Sequence, residues 1–382
     1  MNAPFLRCRT VLGRVEHSAS VQAILAVDMV SMFGTVSASC TKPKEDTVQL
    51  LFLIIASVIF ATTPALANDP FVIGGSGIAE TRVISHANAL KRFDAIGVSV
   101  REVISGDTKV GGLLGLSGSE GLHAHTYASS AIADMNAGRV CSKLVAPLSI
   151  RYPSAIVAKV PTASELKGKE IGFYALQSVA GSALRHFFAE KGLREGDYVA
   201  RQINVFTGKR IEHLFREPAM MAIHVAEPQA SYLAHAQGLS FLSRIGDPSI
   251  PVHVASGLFV HCAHLDDPAK RAVVAKVIAV LKQYVRESQS GALSYDRQVW
   301  ITSLLKADHE KRLRDGIGGF ALNPVALSDI AQSIIKHDAA IMPPVEWPEA
   351  AVTRTIAWAL YPDRPKRALT DFFDRSLWDQ AP

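Results

Sequence analysis

From Phe71 onward the sequence repeats one pattern: a short apolar run, a turn rich in Gly, Ser or Pro, then apolar positions at helical spacing. Parallel strands cannot be joined by a tight turn, so this alternation points to an α/β fold with helical crossovers. Phe71-Val72-Ile73 reads as the first strand and runs into Gly74-Gly75-Ser76-Gly77, after which Ala79, Val83, Ala87 and Leu90 mark a helix. Val98 and Val100 alternate with Ser99 and Arg101 as a second strand. Leu113 to Leu116 is a short helix candidate, and His123 to Tyr127 a further strand or loop that leads into a small-residue helix from Ser129.

A second unit opens at the polar turn Glu165 to Lys169. Its strand covers Glu170 to Tyr174, and its helix begins near Gln177-Ser178, carries Leu184, Phe187 and Phe188 inward, and stops at Gly192. Val199, Ile203 and Val205 form another strand, Ile211 to Phe215 a short helix, and Met220 to Val225 a buried strand ending at Glu227-Pro228. A helix over Gln229 to Gln237 follows, with Pro in its first turn and Gly238 at its end. Beyond Asp266-Asp267-Pro268 the strand signals fade. Helical periods run over Ala269 to Ser288, Tyr295 to Leu305 and Pro324 to His337, and all four Trp lie in this tail, which is expected to pack outside the first lobe.

At 382 residues the chain is long enough for two or three domains. Its 40 basic and 35 acidic residues are dispersed without a Lys/Arg block, so no nucleic-acid partner is expected. Leu50 to Ala61 is too short to cross a bilayer, which takes about 20 apolar residues, but it suits the apolar core of a secretory signal. Ala65-Leu66-Ala67 supplies a cleavage signature, so a mature, exported chain is expected to start near Asn68. Lys42 and Lys44 precede the run, with Glu45 and Asp46 between. The longer stretch before them suggests a start downstream of Met1, with a disordered extension as the alternative. In an oxidising compartment Cys141 and Cys262 would form a bridge or remain two buried thiols; sequence leaves both open.

The dinucleotide fingerprint anchored on Gly75 and Gly77 fails at Glu80, where a third Gly or Ala belongs. What survives is a Gly-rich strand-to-helix turn, either a cradle for a polar ligand group or a plain tight turn. No nucleophile elbow, H-E-x-x-H pair or P-loop lysine occurs in the sequence. His123 with His125, and His261 with Cys262 and His264, suggest a metal only if further ligands join them, and no metal or cofactor is expected. Gln177-Ser178-Val179-Ala180-Gly181-Ser182 forms a second candidate cradle, though Ser178 also suits a simple helix cap. Glu227 either receives an N–H group from a ligand or interacts with its own helix dipole.

Taken together, Glu165-Leu166-Lys167-Gly168-Lys169-Glu170-Ile171-Gly172, the Ser/Gly-rich turn, Glu190-Lys191-Gly192-Leu193 and Ala226-Glu227-Pro228-Gln229 resemble the solute-binding proteins of ABC importers. The nearest group is the nitrate, sulfonate, taurine and pyrimidine-precursor binders, and the likeness covers most of Phe71 to Ser288. It implies a type II periplasmic-binding fold, two α/β lobes joined by a two-stranded hinge, with a helical C-terminal tail. Residues 68–152 and 254–382 would form lobe 1, residues 153–253 lobe 2, and 1–67 the extension and signal peptide. Arg151-Tyr152-Pro153 and Pro251 to Ser256 would be the crossings. The sequence departs from the family pattern at Arg216-Glu217-Pro218-Ala219-Met220 and at Gly118 to His123.

The resemblance further implies a small polar or anionic organic solute held between the lobes, an inner-membrane ABC permease as partner, a monomer, and no catalytic residue. Expected contacts are Ser76, Gly77, Thr126 and Tyr127 from lobe 1, and Tyr174, Gln177, Ser178 and Glu227 from lobe 2. Tyr127, Tyr174 and Phe206 would supply an aromatic wall. Two alternatives share the fold: an enzyme like the thiamine-pyrimidine synthases, whose Cys-rich motif this sequence lacks, and a ligand-sensing module.

Overall fold

The chain divides into Met1–Ala67 and Asn68–Pro382. The computed structural model describes residues 70–75, 82–104, 123–173, 176–203, 217–314 and 324–382, all in the second unit. The apolar run at Leu50, the cleavage signature, the helix candidates at Leu113 and Ile211, and Phe206 lie outside the described residues.

Two five-stranded sheets are built to the same plan. In the first, β1 (Phe71–Gly75) pairs in parallel with β2 (Val100–Ile104) on one side and β3 (His123–Tyr127) on the other. The antiparallel β10 (Val254–His261) follows, and β4 (Ser142–Ile150) closes the edge, giving the order β2-β1-β3-β10-β4. In the second sheet β6 (Glu170–Phe173) lies between parallel β7 (Val199–Gln202) and β8 (Met220–Ala226). Antiparallel β5 (Ser154–Ala158) and β9 (Ser240–Ser243) complete the order β7-β6-β8-β5-β9. Each sheet forms the centre of one lobe.

The helices form where turn chemistry and periodicity coincide. They are α1 (Arg82–Ala89) and α2 (Ala128–Asn136) on the first sheet, and α3 (Val179–Glu190) and α4 (Gln229–Gln237) on the second. Ser178 caps α3 by accepting a bond from the Gly181 amide at 3.0 Å, and Gly192, with φ +79°, ends that segment in the left-handed region. Among the expected strands, Phe71, Glu170, Val199 and Met220 each begin one, whereas the strand expected at Val98 begins two residues later, at Val100. Val98 instead closes a turn, its amide bonded to the Phe93 carbonyl.

After β10 come α5 (Cys262–Asp266) and the long α6 (Pro268–Gln289), whose N-terminus is fixed by Asp267 accepting from the Ala269 and Lys270 amides. Val274, Val277, Ile278, Leu281 and Val285 form its buried stripe in the first core, each contributing about 1.5–3 kcal/mol. The chain continues through α7 (Ser294–Arg314), α8 (Pro324–Ile341), α9 (Glu349–Leu360) and α10 (Ser376–Gln380).

The expectation that the tail packs outside the first lobe holds for α6, α9 and α10 but not for α7 and α8. Ile301, Leu305, Leu327, Ile330 and Ile334 share a core with Ala155, Val157, Ile223 and Leu233 of the second lobe. Residues 254–382 therefore do not all complete lobe 1. A helix's apolar stripe needs an apolar sheet face, and the face beside α4 is the one these two helices cover.

Cys141 and Cys262 are bridged, with Cα atoms 5.4 Å apart, immediately outside the paired residues Ser142 and His261. The linked residues are 121 positions apart, so the bridge closes a loop that contains the entire second sheet. A closed loop of that size restricts the unfolded chain by about 4–5 kcal/mol. The double variant Cys141→Ser/Cys262→Ser is accordingly expected to unfold at a clearly lower urea concentration than the oxidised parent; equal midpoints would count against the bridge.

Candidate functional site

In the first sheet the chain passes from β1 to the edge strand β2 and then to β3 on the other side of β1, and β6, β7 and β8 repeat this in the second. The carboxyl ends of β1 and β3, and of β6 and β8, are therefore switch points, the position where open α/β sheets bind ligands. Of the residues expected from sequence to contact a ligand, Thr126, Tyr127, Gln177, Ser178 and Glu227 lie at or just beyond these strand ends. Ser76, Gly77 and Tyr174 lie outside the described residues.

The remaining positions carry more internal structure than the sequence suggested. Thr126 is fully buried, and its hydroxyl donates to the Gly74 carbonyl at 3.3 Å, so its side chain staples β3 to β1. Tyr127 ends β3 opposite Ser256 of β10. Gln177 is exposed, whereas Ser178 is buried as the α3 cap. Glu227 is buried, accepting from the Ser231 amide and the Ser231 hydroxyl, both at 3.0 Å. Burial pushes its carboxyl above the usual range, opposed by the Ser231 bonds and by the charges of Arg82 and Arg244. Arg82 belongs to the first lobe, so its field reaches the second lobe's switch point.

The two switch points are joined directly. The Val179 amide at the start of α3 donates to the Ser129 hydroxyl in the first turn of α2, at 3.0 Å. Two helix N-termini, one from each lobe, thus converge, and their partial positive charges favour a polar or anionic group beside the contact. Sequence reasoning named neither Ser129 nor Arg82 as a contact. A signal existed for both, since each occupies the first turn of a helix that follows a parallel strand.

The crossings between lobes run side by side. Arg151, at φ +65°, turns the chain out of β4, and its amide donates to the His253 carbonyl at 2.9 Å. The second crossing is shorter than expected, because Val254 to Ser256 already belong to β10. From behind, α9 braces it: the Thr355 hydroxyl accepts from the Val254 amide at 2.7 Å, Arg354 donates to the Val252 carbonyl, and His253 packs against Trp358 at 4.9 Å.

Among the described residues no group of three or more His, Cys, Asp or Glu side chains is placed to hold a metal ion. Cys262 is consumed by the disulfide, and the His261 ring caps α5 by accepting from the Ala263 amide.

No family model and no curated protein matches the chain. Solved structures do. The ligand-binding component of an ABC-type import system from Staphylococcus aureus, with zinc bound, matches 82% of this chain and 99% of its own at 15% identity and TM-score 0.59. The alkanesulfonate-binding protein SsuA from Xanthomonas axonopodis pv. citri, bound to MOPS, matches 77% and 95% at 16% identity and TM-score 0.53. DszB in complex with biphenyl-2-sulfinic acid matches 82% and 99% at 11% identity and TM-score 0.53. The chain has the periplasmic-binding fold these structures share.

His86 and His253 are both buried, and burial pulls both rings down to about 4. In the unfolded chain each binds a proton below about pH 6.5, but in the folded protein only near pH 4. Their contribution is therefore intact at neutral pH and lost as pH falls from 6.5 toward 4; His224, which burial pulls down to about 3, adds the same sign, so the three rings approach three protons, or about 4 kcal/mol per pH unit, opposed by the raised carboxyls of Glu102 and Glu227. Urea midpoints measured at pH 7 and pH 5 should differ accordingly, and His253→Gln should make the slope shallower by about one proton. A midpoint that does not move with pH would contradict this.

Proposed function

We propose that this chain is a periplasmic solute-binding protein that captures a small polar or anionic organic solute between its lobes and delivers it to an ABC import permease. The convergence of both switch points across the Val179–Ser129 bond carries the reading, because a molecule held there touches both lobes at once. Such a ligand binds the closed arrangement more tightly than the open one and shifts the population toward it. The disulfide supports export to an oxidising compartment, in keeping with a signal peptide ending near Ala67. The solved neighbours that are import components support the transport role.

The contacts proposed are Ser76, Gly77 and Tyr127 from the first lobe and Tyr174, Gln177, Ser178 and Glu227 from the second, with Ser129 and Arg82 added. Thr126 acts through the backbone it holds. The protein works as a monomer, and binding leaves the solute chemically unchanged. DszB favours a second reading, an enzyme on the same scaffold.

Calorimetry and thermal shift against sulfonates, nitrate, aromatic carboxylates and pyrimidines separate the two. One class should stabilise the protein by about 2.7 kcal/mol at a hundred times its Kd, and mass spectrometry should recover the solute intact. A chemically altered product would transfer the case to the enzyme, and silence across the panel would remove the solute class proposed here.

A further inference from the structure

The pair α7–α8 forms an arm that belongs to one lobe by connection and to the other by packing. It leaves the first lobe after Leu293, which is still in the first core, just beyond Gly291 at φ +80°. It returns at Met342, again in the first core, ahead of the proline-rich stretch Pro343 to Pro348. Between these points Ile301, Leu305, Ile330 and Ile334 are buried in the second core. Two polar contacts fix the arm there as well: the Tyr232 hydroxyl donates to the Leu305 carbonyl at 3.2 Å, and Arg244 donates to the Ser333 hydroxyl at 3.4 Å.

Where the arm meets the first lobe the contact is charged. Arg82 in the first turn of α1 donates to Asp338 of α8 at 2.5 Å, and Arg297 of α7 donates to the other oxygen of the same carboxylate at 3.3 Å. The three side chains are 15%, 3% and 7% exposed for Arg82, Asp338 and Arg297. One turn along α1, His86 stacks on Trp300 of α7 at 4.8 Å and shares a hydrogen bond with the Tyr284 hydroxyl of α6 at 2.8 Å. The cavity left among these groups is only about 10 Å³, room for one water.

We propose that Arg82, Asp338 and Arg297 form an interlobe latch that lets the ligand-free protein close. Arg82 moves with the first lobe, while Asp338 and Arg297 move with the second. Bringing the lobes together therefore buries two guanidinium groups around one carboxylate. With the carboxylate present the pairing offsets most of the cost of removing these charges from water; without it, closure forces two cations together in a dry interface. Arg82 also lies beside the candidate site, so the latch and the solute act on the same motion. Apparent solute affinity scales with the fraction of protein already closed, and the latch sets that fraction. This consequence for affinity rests on the binding reading above, but the latch is tested with no solute present, so the failure of either leaves the other standing.

The test is a spin-label distance measurement on the full-length chain with Cys8→Ser and Cys40→Ser, which leaves the native bridge in place. Labels go on Ala89→Cys in α1 and Lys167→Cys beside the second sheet, both exposed. The background protein is expected to give one narrow distance. Asp338→Asn is expected to add a longer distance, raising the open population at least about tenfold, which corresponds to about 1.4 kcal/mol. If Asp338→Asn does not fold, as judged by circular dichroism, Arg82→Glu is read instead; it sets a second carboxylate against Asp338 across the closing interface and should produce the same longer distance. A background protein that is already mainly open, or a folded variant with an unchanged distribution, overturns the latch.

Discussion

The antiparallel pairing of β4 with β10 is the contact on which the two-lobed architecture depends. It runs from Ser142 opposite His261 to Ile150 opposite Val254, so the strand that leaves the first lobe and the strand that re-enters it are neighbours along their whole length. Both crossings must then emerge at the same end of one sheet. The disulfide closes the opposite end of the pair, and the bond from the Arg151 amide to the His253 carbonyl closes the hinge end. A body built this way can rotate about the crossings without unpicking its sheets, because the bonds within each sheet do not span the hinge.

Local chemistry made much of this fold readable from sequence. The turn at Glu165 to Lys169, the Ser178 cap and the stops at Gly192 and Gly238 are each determined by a few neighbouring residues, and the helices and strands they bound are present. Strands β4, β5, β9 and β10 were not read. Every residue of β5 is buried, and nearly every residue of β4, so neither shows the alternation that marks a half-exposed strand. The arm failed for a different reason. Periodicity reveals that α7 and α8 have an apolar face, but the sheet that covers it is decided by the space left beside α4, which no local pattern encodes.

The candidate site divides in the same way. The strand ends at which it is sought were legible, because the turns that follow them have recognisable composition. The partners of its side chains were not. Thr126, Ser178 and Glu227 looked like ligand contacts, yet each is engaged with its own lobe's backbone or a neighbouring side chain. The Ser129 to Val179 contact spans 50 residues and two lobes, so it exists only in the assembled fold.

That internal engagement bears on how a cleft of this kind discriminates among ligands. A polar group already bonded within its lobe loses little orientational freedom when a ligand arrives, so binding costs less ordering and depends more on fit. Glu227 shows the other side of the same economy. Its carboxyl is buried and raised in pKa, with both oxygens already accepting from Ser231 and two guanidinium fields nearby. A ligand that offers it a further N–H donor would stabilise its ionised form, whereas an anionic ligand placed against it would favour the protonated one. The protonation change that accompanies binding therefore carries the sign of the ligand group opposite Glu227: release for a donor, uptake for an anion. Calorimetric heats compared in buffers of different ionisation enthalpy would read that sign before any ligand-bound structure is available.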